Sequence, residues 1–199
     1  GRGDLAATQA LINQTGSMDA SQLAALALAL HTNGDSSNAN KVLDSLLARA
    51  QASATTVYWP LTGTYWDWRT WQTMASDEKN TALAVRALAL LRPNEPKLPK
   101  AVRWLLENRR GAGWGNTQAT AFAVLGLVDV IKTTGELQSN YSYTVKLNDQ
   151  AIASGIVTPQ TATQPMPPIV LTGAQLSAGD NRLQIERTAR NIAAVQDYF

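Results

Sequence analysis

Ala82-Leu-Ala-Val-Arg-Ala-Leu-Ala-Leu-Leu91 holds one polar side chain, Arg86, in an otherwise apolar run. Two more stretches read the same way: Leu23-Ala-Ala-Leu-Ala-Leu-Ala-Leu30 and Ala119-Thr-Ala-Phe-Ala-Val-Leu-Gly-Leu-Val128. A helix that is apolar nearly all round must be covered on all sides. The small alanines let its neighbours come close. These three segments predict three inner helices.

One-sided segments lie between them. Val42, Leu43, Leu46, Leu47 and Ala50 face inward at helical spacing, against Lys41, Asp44, Ser45 and Arg49. Ala101, Val102, Leu105 and Leu106 oppose Arg103, Glu107 and Arg110. Stop and start signals then set six helices. They cover about Leu5–Thr15, Ala20–His31, Asn38–Ala52, Asp77–Arg92, Lys100–Arg109 and Gln118–Thr133. Asp19 and Gln22 have capping-box spacing. Ser36 or Ser37, Ser76, and Asn116 or Thr117 are the other caps. Asn33-Gly34 ends the second helix, and Pro93, Pro96 and Pro99 fill the turn after the fourth. Inner helices alternating with outer ones follow the logic of an α/α-toroid or an α-solenoid.

The chain changes character near residue 138. Tyr141, Tyr143, Val145 and Leu147 alternate with polar residues, the pattern of a half-buried strand. Asn148-Asp149 turns the chain toward Ile152. Ile169-Val-Leu171 is a further apolar run after four prolines between Pro159 and Pro168, and Gly179-Asp-Asn181 precedes an alternating Leu183 and Ile185. About four short antiparallel strands follow. The expected fold is mainly α, a partial α/α-toroid of about six helices, followed by a small antiparallel β segment. The domains are residues 1–138 and 139–199.

Composition narrows the function. The chain has 199 residues, 45% hydrophobic and 16% charged, enough to bury a core. The net charge of +2 splits into +3 up to Gly135 and −1 beyond it, too balanced for a nucleic-acid partner. There is no cysteine, which removes disulfides, thiolate metal sites, cysteine nucleophiles and internal thioesters. No cofactor is expected. The longest apolar stretch is too short for a membrane span. Three inner helices cannot close a ring, and an open row exposes apolar flanks. Two readings stay open: a piece of something larger that self-associates or joins other domains, or a compact six-helix bundle closed by the β segment. The non-Met start, Gly1-Arg-Gly-Asp4, fits a processed or cut chain, and its Arg-Gly-Asp reads as chance.

Gly111-Ala-Gly-Trp-Gly-Asn-Thr-Gln-Ala-Thr-Ala-Phe122, after Ala101-Val-Arg-Trp-Leu-Leu-Glu-Asn-Arg-Arg110, resembles the last helical hairpin of the thioester domain in the alpha-2-macroglobulin and complement family. Ser76 to Leu91 resembles the preceding inner helix, and Tyr58-Trp59 the aromatic pair before it. Tyr143-Thr-Val-Lys-Leu-Asn148 and Leu176 to Ile185 look like the returning half of the CUB-like β-sandwich that follows. The ordered set spans residues 58 to about 187, and Trp114 leans toward bacterial members. The resemblance implies a bacterial protease-trapping inhibitor, periplasmic, envelope-bound or extracellular, whose whole chain meets proteases. Gly113, Trp114, Asn116, Thr117, Gln118 and Thr120 would be structural. The family's Cys-x-Glu-Gln thioester signature is absent here. No catalytic residue is assigned.

Other features have their own alternatives. Tyr58 to Trp71 packs four tryptophans and two tyrosines into a turn-rich stretch. Trp59, Trp66, Asp67, Trp68, Arg69 and Trp71 read either as an aromatic platform for a sugar or peptide or as rings capping the toroid. His31 reads as a cation in a helix's last turn. Lys100 to Trp114 approximates a terpenoid-cyclase motif but lacks its Gln and its Gly-x-Trp spacing. Asp77, Glu78, Glu95 and Asp129 are scattered, and nothing pairs them as a glycosidase requires. No metal site is expected. A toroid enzyme of cyclase or polysaccharide-processing type, and a peptide- or sugar-binding helical repeat, remain the alternatives.

Overall fold

The computed structural model describes residues 4–62, 73–135 and 138–189. Two compact units meet in the sequence at Thr134/Gly135. The first is helical and the second is a small antiparallel sheet, so the protein is mainly α followed by a small β segment.

Six helices are present among the described residues: α1 (Leu5–Ala10), α2 (Ala20–Thr32), α3 (Ser36–Leu47), α4 (Asp77–Leu91), α5 (Lys97–Glu107) and α6 (Thr117–Thr134). α1 stops earlier than the sequence suggests and continues as a 3₁₀ segment, Leu11–Ser17. There the Thr15 and Ser17 hydroxyls donate to the Ile12 and Gln14 carbonyls, competing with the α-helical ladder. α2 starts on a complete capping box, with Gln22 N–H donating to Asp19 Oδ1 and Asp19 N–H to Gln22 Oε1, both at 2.8 Å. It ends in a Schellman motif: Gly34, at φ 89°, donates to the His31 carbonyl while Asp35 N–H reaches the Leu30 carbonyl.

Asp35 caps α3, not Ser36 or Ser37. Its longer side chain accepts from Asn38 N–H and also holds the Asn38 and Gln9 amides. α3 ends at Leu47, short of Ala52. Gln51–Ala52 (β1) instead pairs with Val57–Tyr58 (β2), delivering Trp59 to the core. Ser76 and Asn116 cap α4 and α6. α5 begins at Lys97, which places Pro99 inside its first turn, where a missing N–H costs nothing. Leu98 is therefore buried, while Leu106, expected to face inward, is exposed.

α4 lies in the middle of an inner row, flanked by α2 and α6. α3 packs on α2, and α5 packs on α4. From Asn80 to Ala89 only Arg86 is not buried. The close approach of α4 and α6 rests on Gly126, where a Cβ would lie 2.8 Å from the Ala82 carbonyl oxygen. α6 departs from the sequence reading. It buries Ala119, Ala123, Gly126 and Val130 against the row but leaves Val124, Leu125 and Val128 exposed. Among the described helices it is the last of the row and packs chiefly on α4.

The second unit is a sheet of three strands in the order β4-β3-β5: β3 (Tyr141–Leu147), β4 (Gln150–Val157) and β5 (Leu183–Ala189), all antiparallel. Asn148 and Asp149, at φ 50° and 66°, make the two-residue turn whose twist suits a hairpin. The expected strand at Ile169–Leu171 pairs with no strand among the described residues. Val145 and Leu147 are buried. Leu183 and Ile185, directly opposite them and so on the same face, are exposed.

Candidate functional site

The motif residues meet at the joint between α5 and α6. Arg110 and Gly113 exchange backbone hydrogen bonds of 2.9 and 3.2 Å across a tight turn carrying Gly111 at φ 60°. That turn swings Trp114 back over α5, where its indole Nε1 donates to the Leu105 carbonyl at 2.6 Å. The Thr120 hydroxyl accepts from Trp114 N–H at 2.9 Å and donates to the Trp114 carbonyl at 3.0 Å. Gly113 cannot carry a side chain here, since its Cβ would fall 2.6 Å from Thr120 Oγ1. Asn116 caps the helix through Ala119 N–H and also donates to the Met74 carbonyl. Thr117 is exposed.

The same device occurs one hairpin earlier. Trp59 Nε1 donates to the Leu46 carbonyl at 2.7 Å, and Trp59 N–H donates to the Thr81 hydroxyl at 3.1 Å. In both hairpins a tryptophan leaving the outer helix ties its ring to that helix and its backbone to a threonine in the next inner helix. Thr81 was not legible as a site residue. No shared spacing marks it: Trp59 lies 17 residues before Ser76, whereas Trp114 lies two before Asn116.

The two joints share a rim at the N-terminal ends of α4 and α6. Lys79 Nζ donates to the Thr73 carbonyl at 2.6 Å and to Gln118 Oε1 at 2.8 Å, 6.0 Å from the centre of the Phe122 ring. Burial pulls its pKa below the usual lysine value, and the charge of Asp19 opposes that shift. Glu78 lies against Gly115. Asp77 Oδ1 accepts from Leu61 N–H at 2.7 Å. Asn80 is fully buried, its amide donating to the Pro60 carbonyl at 3.3 Å, and its Oδ1 has no partner.

Trp59 is no platform for a ligand: it is 0% exposed and belongs to the core. Trp66, Asp67, Trp68, Arg69 and Trp71 lie outside the described residues. His31 is exposed in the last turn of α2, its Nδ1 3.4 Å from Ser36 Oγ. The neighbouring carboxylate, Asp35, is held by Gln9 and Asn38. The scattered carboxylates each have their own setting. Asp129 pairs with Arg86 at 2.8 Å, Glu95 accepts from Lys97 N–H, and Asp77 and Glu78 serve the first turn of α4. Among the described residues no group of three or more His, Asp or Glu could hold a metal, and no helix is long and apolar enough to cross a membrane. The chemistry of the rim is that of a joint: nearly every polar group named here bonds another part of the same chain.

No protein-family model matches the chain, and no curated protein matches it.

Proposed function

We propose that this chain is part of a bacterial alpha-2-macroglobulin-like protease-trapping inhibitor. Its role there is scaffolding and conformational response, not bond-making. The observation that carries the reading is the repeated joint. Gly113, Trp114, Asn116 and Thr120, four of the six motif residues of the family resemblance, are bonded within the hairpin, Gln118 bonds Lys79 of α4, Thr117 is exposed, and Trp59 and Thr81 repeat the arrangement. A stack of like-built hairpins suits a scaffold that a larger molecule moves as a unit. The exposed flank of α6 suits covering by another domain of the parent chain or by a second copy. A cell-envelope or extracellular location belongs to the same proposal.

The test starts from the native source. An antibody to this chain should detect a polypeptide several times heavier than 21.4 kDa. That polypeptide, mixed with a protease, should block digestion of a large protein while sparing cleavage of a small peptide. A native chain near 21.4 kDa, or equal loss of both activities, overturns the proposal.

A further inference from the structure

The second unit carries a segment that the sheet does not use. From Pro165 to Thr172 the chain runs Pro-Met-Pro-Pro-Ile-Val-Leu-Thr with no helix, turn or ladder. Pro165, Pro167 and Pro168 each hold φ near −65°, and each restricts the residue before it to extended geometry. Five consecutive residues, Gln164 to Pro168, are thereby biased toward the polyproline II conformation. Among the described residues, none from Pro165 to Leu171 makes a hydrogen bond. The side chains are not in a core either. Met166 is 55% exposed, Ile169 45% and Val170 79%.

Both ends of this strap are anchored. Upstream, Thr161 and Ala162 N–H donate to the Thr158 carbonyl, and Gln164 N–H donates to that of Thr161. Downstream, Thr172 and Gln175 form a reciprocal cap on a 3₁₀ turn, Gly173–Gln175. Then Asn181 and Ser177 bond to Asn148 at the β3–β4 turn. An extended, apolar segment pinned at both ends has little entropy left to lose on binding. There is no charged residue between Asp149 and Asp180.

We infer that Pro165–Leu171 is a recognition strap, docked by a partner domain that presents an uncharged groove lined with Tyr and Trp rings. Stiff proline rings stack on such rings, and the free carbonyls between them accept hydrogen bonds from indole or phenol groups. The exposed Met166 and Ile169 fill the neighbouring hollows. This inference stands apart from the protease-trapping proposal and survives its failure.

The probe is an isolated WW domain, a fold that reads proline-rich segments through an aromatic groove. It is titrated into the ¹⁵N-labelled 199-residue chain to about 1 mM, enough to detect a complex with a millimolar Kd. The expected result is saturable shifts at the Met166, Ile169, Val170 and Leu171 amides. A Pro167→Ala/Pro168→Ala variant should weaken binding at least about tenfold, with the β3 amide signals unchanged as proof that the sheet is intact. Three results overturn the inference: no shifts at the top concentration, shifts centred on the edges of β4 or β5, or equal binding by the double variant. The edge result would mean that strand addition, not proline recognition, is what this unit offers.

Discussion

Replacing Thr120 with valine tests whether the Trp–Thr joint holds the last hairpin. Valine keeps the shape and deletes the hydroxyl. Two hydrogen bonds go with it, at 2.9 and 3.0 Å, and both involve the backbone of Trp114, a residue only 6% exposed. Stranding a buried N–H costs about 1–3 kcal/mol, and the carbonyl loses about 1 kcal/mol more. The added methyl must also sit against Gly113, which leaves no slack. A loss of about 2–3 kcal/mol is expected, or roughly 5–10 °C in Tm for a chain of this length. Thr120→Ser keeps the hydroxyl and loses one methyl, so it should cost under about 1 kcal/mol. The assay is urea unfolding followed at 222 nm, which reads the helical unit, with the slope m unchanged between variants. Thr117→Val, at the exposed first position of α6, should stay within about 0.5 kcal/mol. If valine at 120 costs no more than serine, the hydroxyl is incidental and the joint argument fails.

Three further outcomes follow from the same packing. Trp59→Phe removes the 2.7 Å indole bond to the Leu46 carbonyl and leaves a gap in the core, so unfolding free energy should fall by about 2–3 kcal/mol in the same urea titration. Gly126→Ala drives a Cβ to 2.8 Å from the backbone of α4. Overpacking of about 1–3 kcal/mol then exceeds the roughly 1 kcal/mol gained in helix propensity, giving a net loss near 1 kcal/mol by calorimetry. Asp35 is held below its usual pKa by hydrogen bonds from Gln9 and then from Asn38. A carboxylate with a lowered folded pKa stabilises above its unfolded value of 3.8, and that contribution disappears as pH falls through the folded pKa. Urea midpoints between about pH 2 and 5 should therefore drop less steeply for Asp35→Asn than for the parent, and parallel curves would exclude this role for Asp35.

Much of the helical unit is legible in the residues because helix signals are local. Asp19 with Gln22, Asn33-Gly34 and Ser76 act within one turn, and each sits where its spacing says. The near misses are also local, but competitive. Asp35 outcompetes Ser36 for the cap because it reaches three donors at once. α3 stops at Leu47 because β1 finds β2, a contact the helical pattern does not contain.

The candidate site was legible only in part. Gly113, Trp114, Asn116 and Thr120 stand out as a cluster, but what they do depends on partners elsewhere. Leu105 offers a carbonyl, and the equivalent bond of Trp59 goes to Leu46, thirteen residues back. Backbone acceptors leave no trace in composition. For the same reason Trp59 reads in sequence as either a ligand platform or a capping ring, and only its neighbours show that it is core.

By itself the sequence determined the fold class, the six helices found among the described residues, and the residues that start and stop α2, α4 and α6. Those choices are made within a few residues by capping, propensity and period. Tertiary structure decided which apolar faces are covered. α4 is enclosed because it has neighbours on both flanks, and α6, with an apolar run of its own, shows Val124, Leu125 and Val128 because among the described helices it packs chiefly on α4. Apolar composition states what a helix tolerates around it. Burial is set by the elements that arrive, and that information is spread over the whole chain.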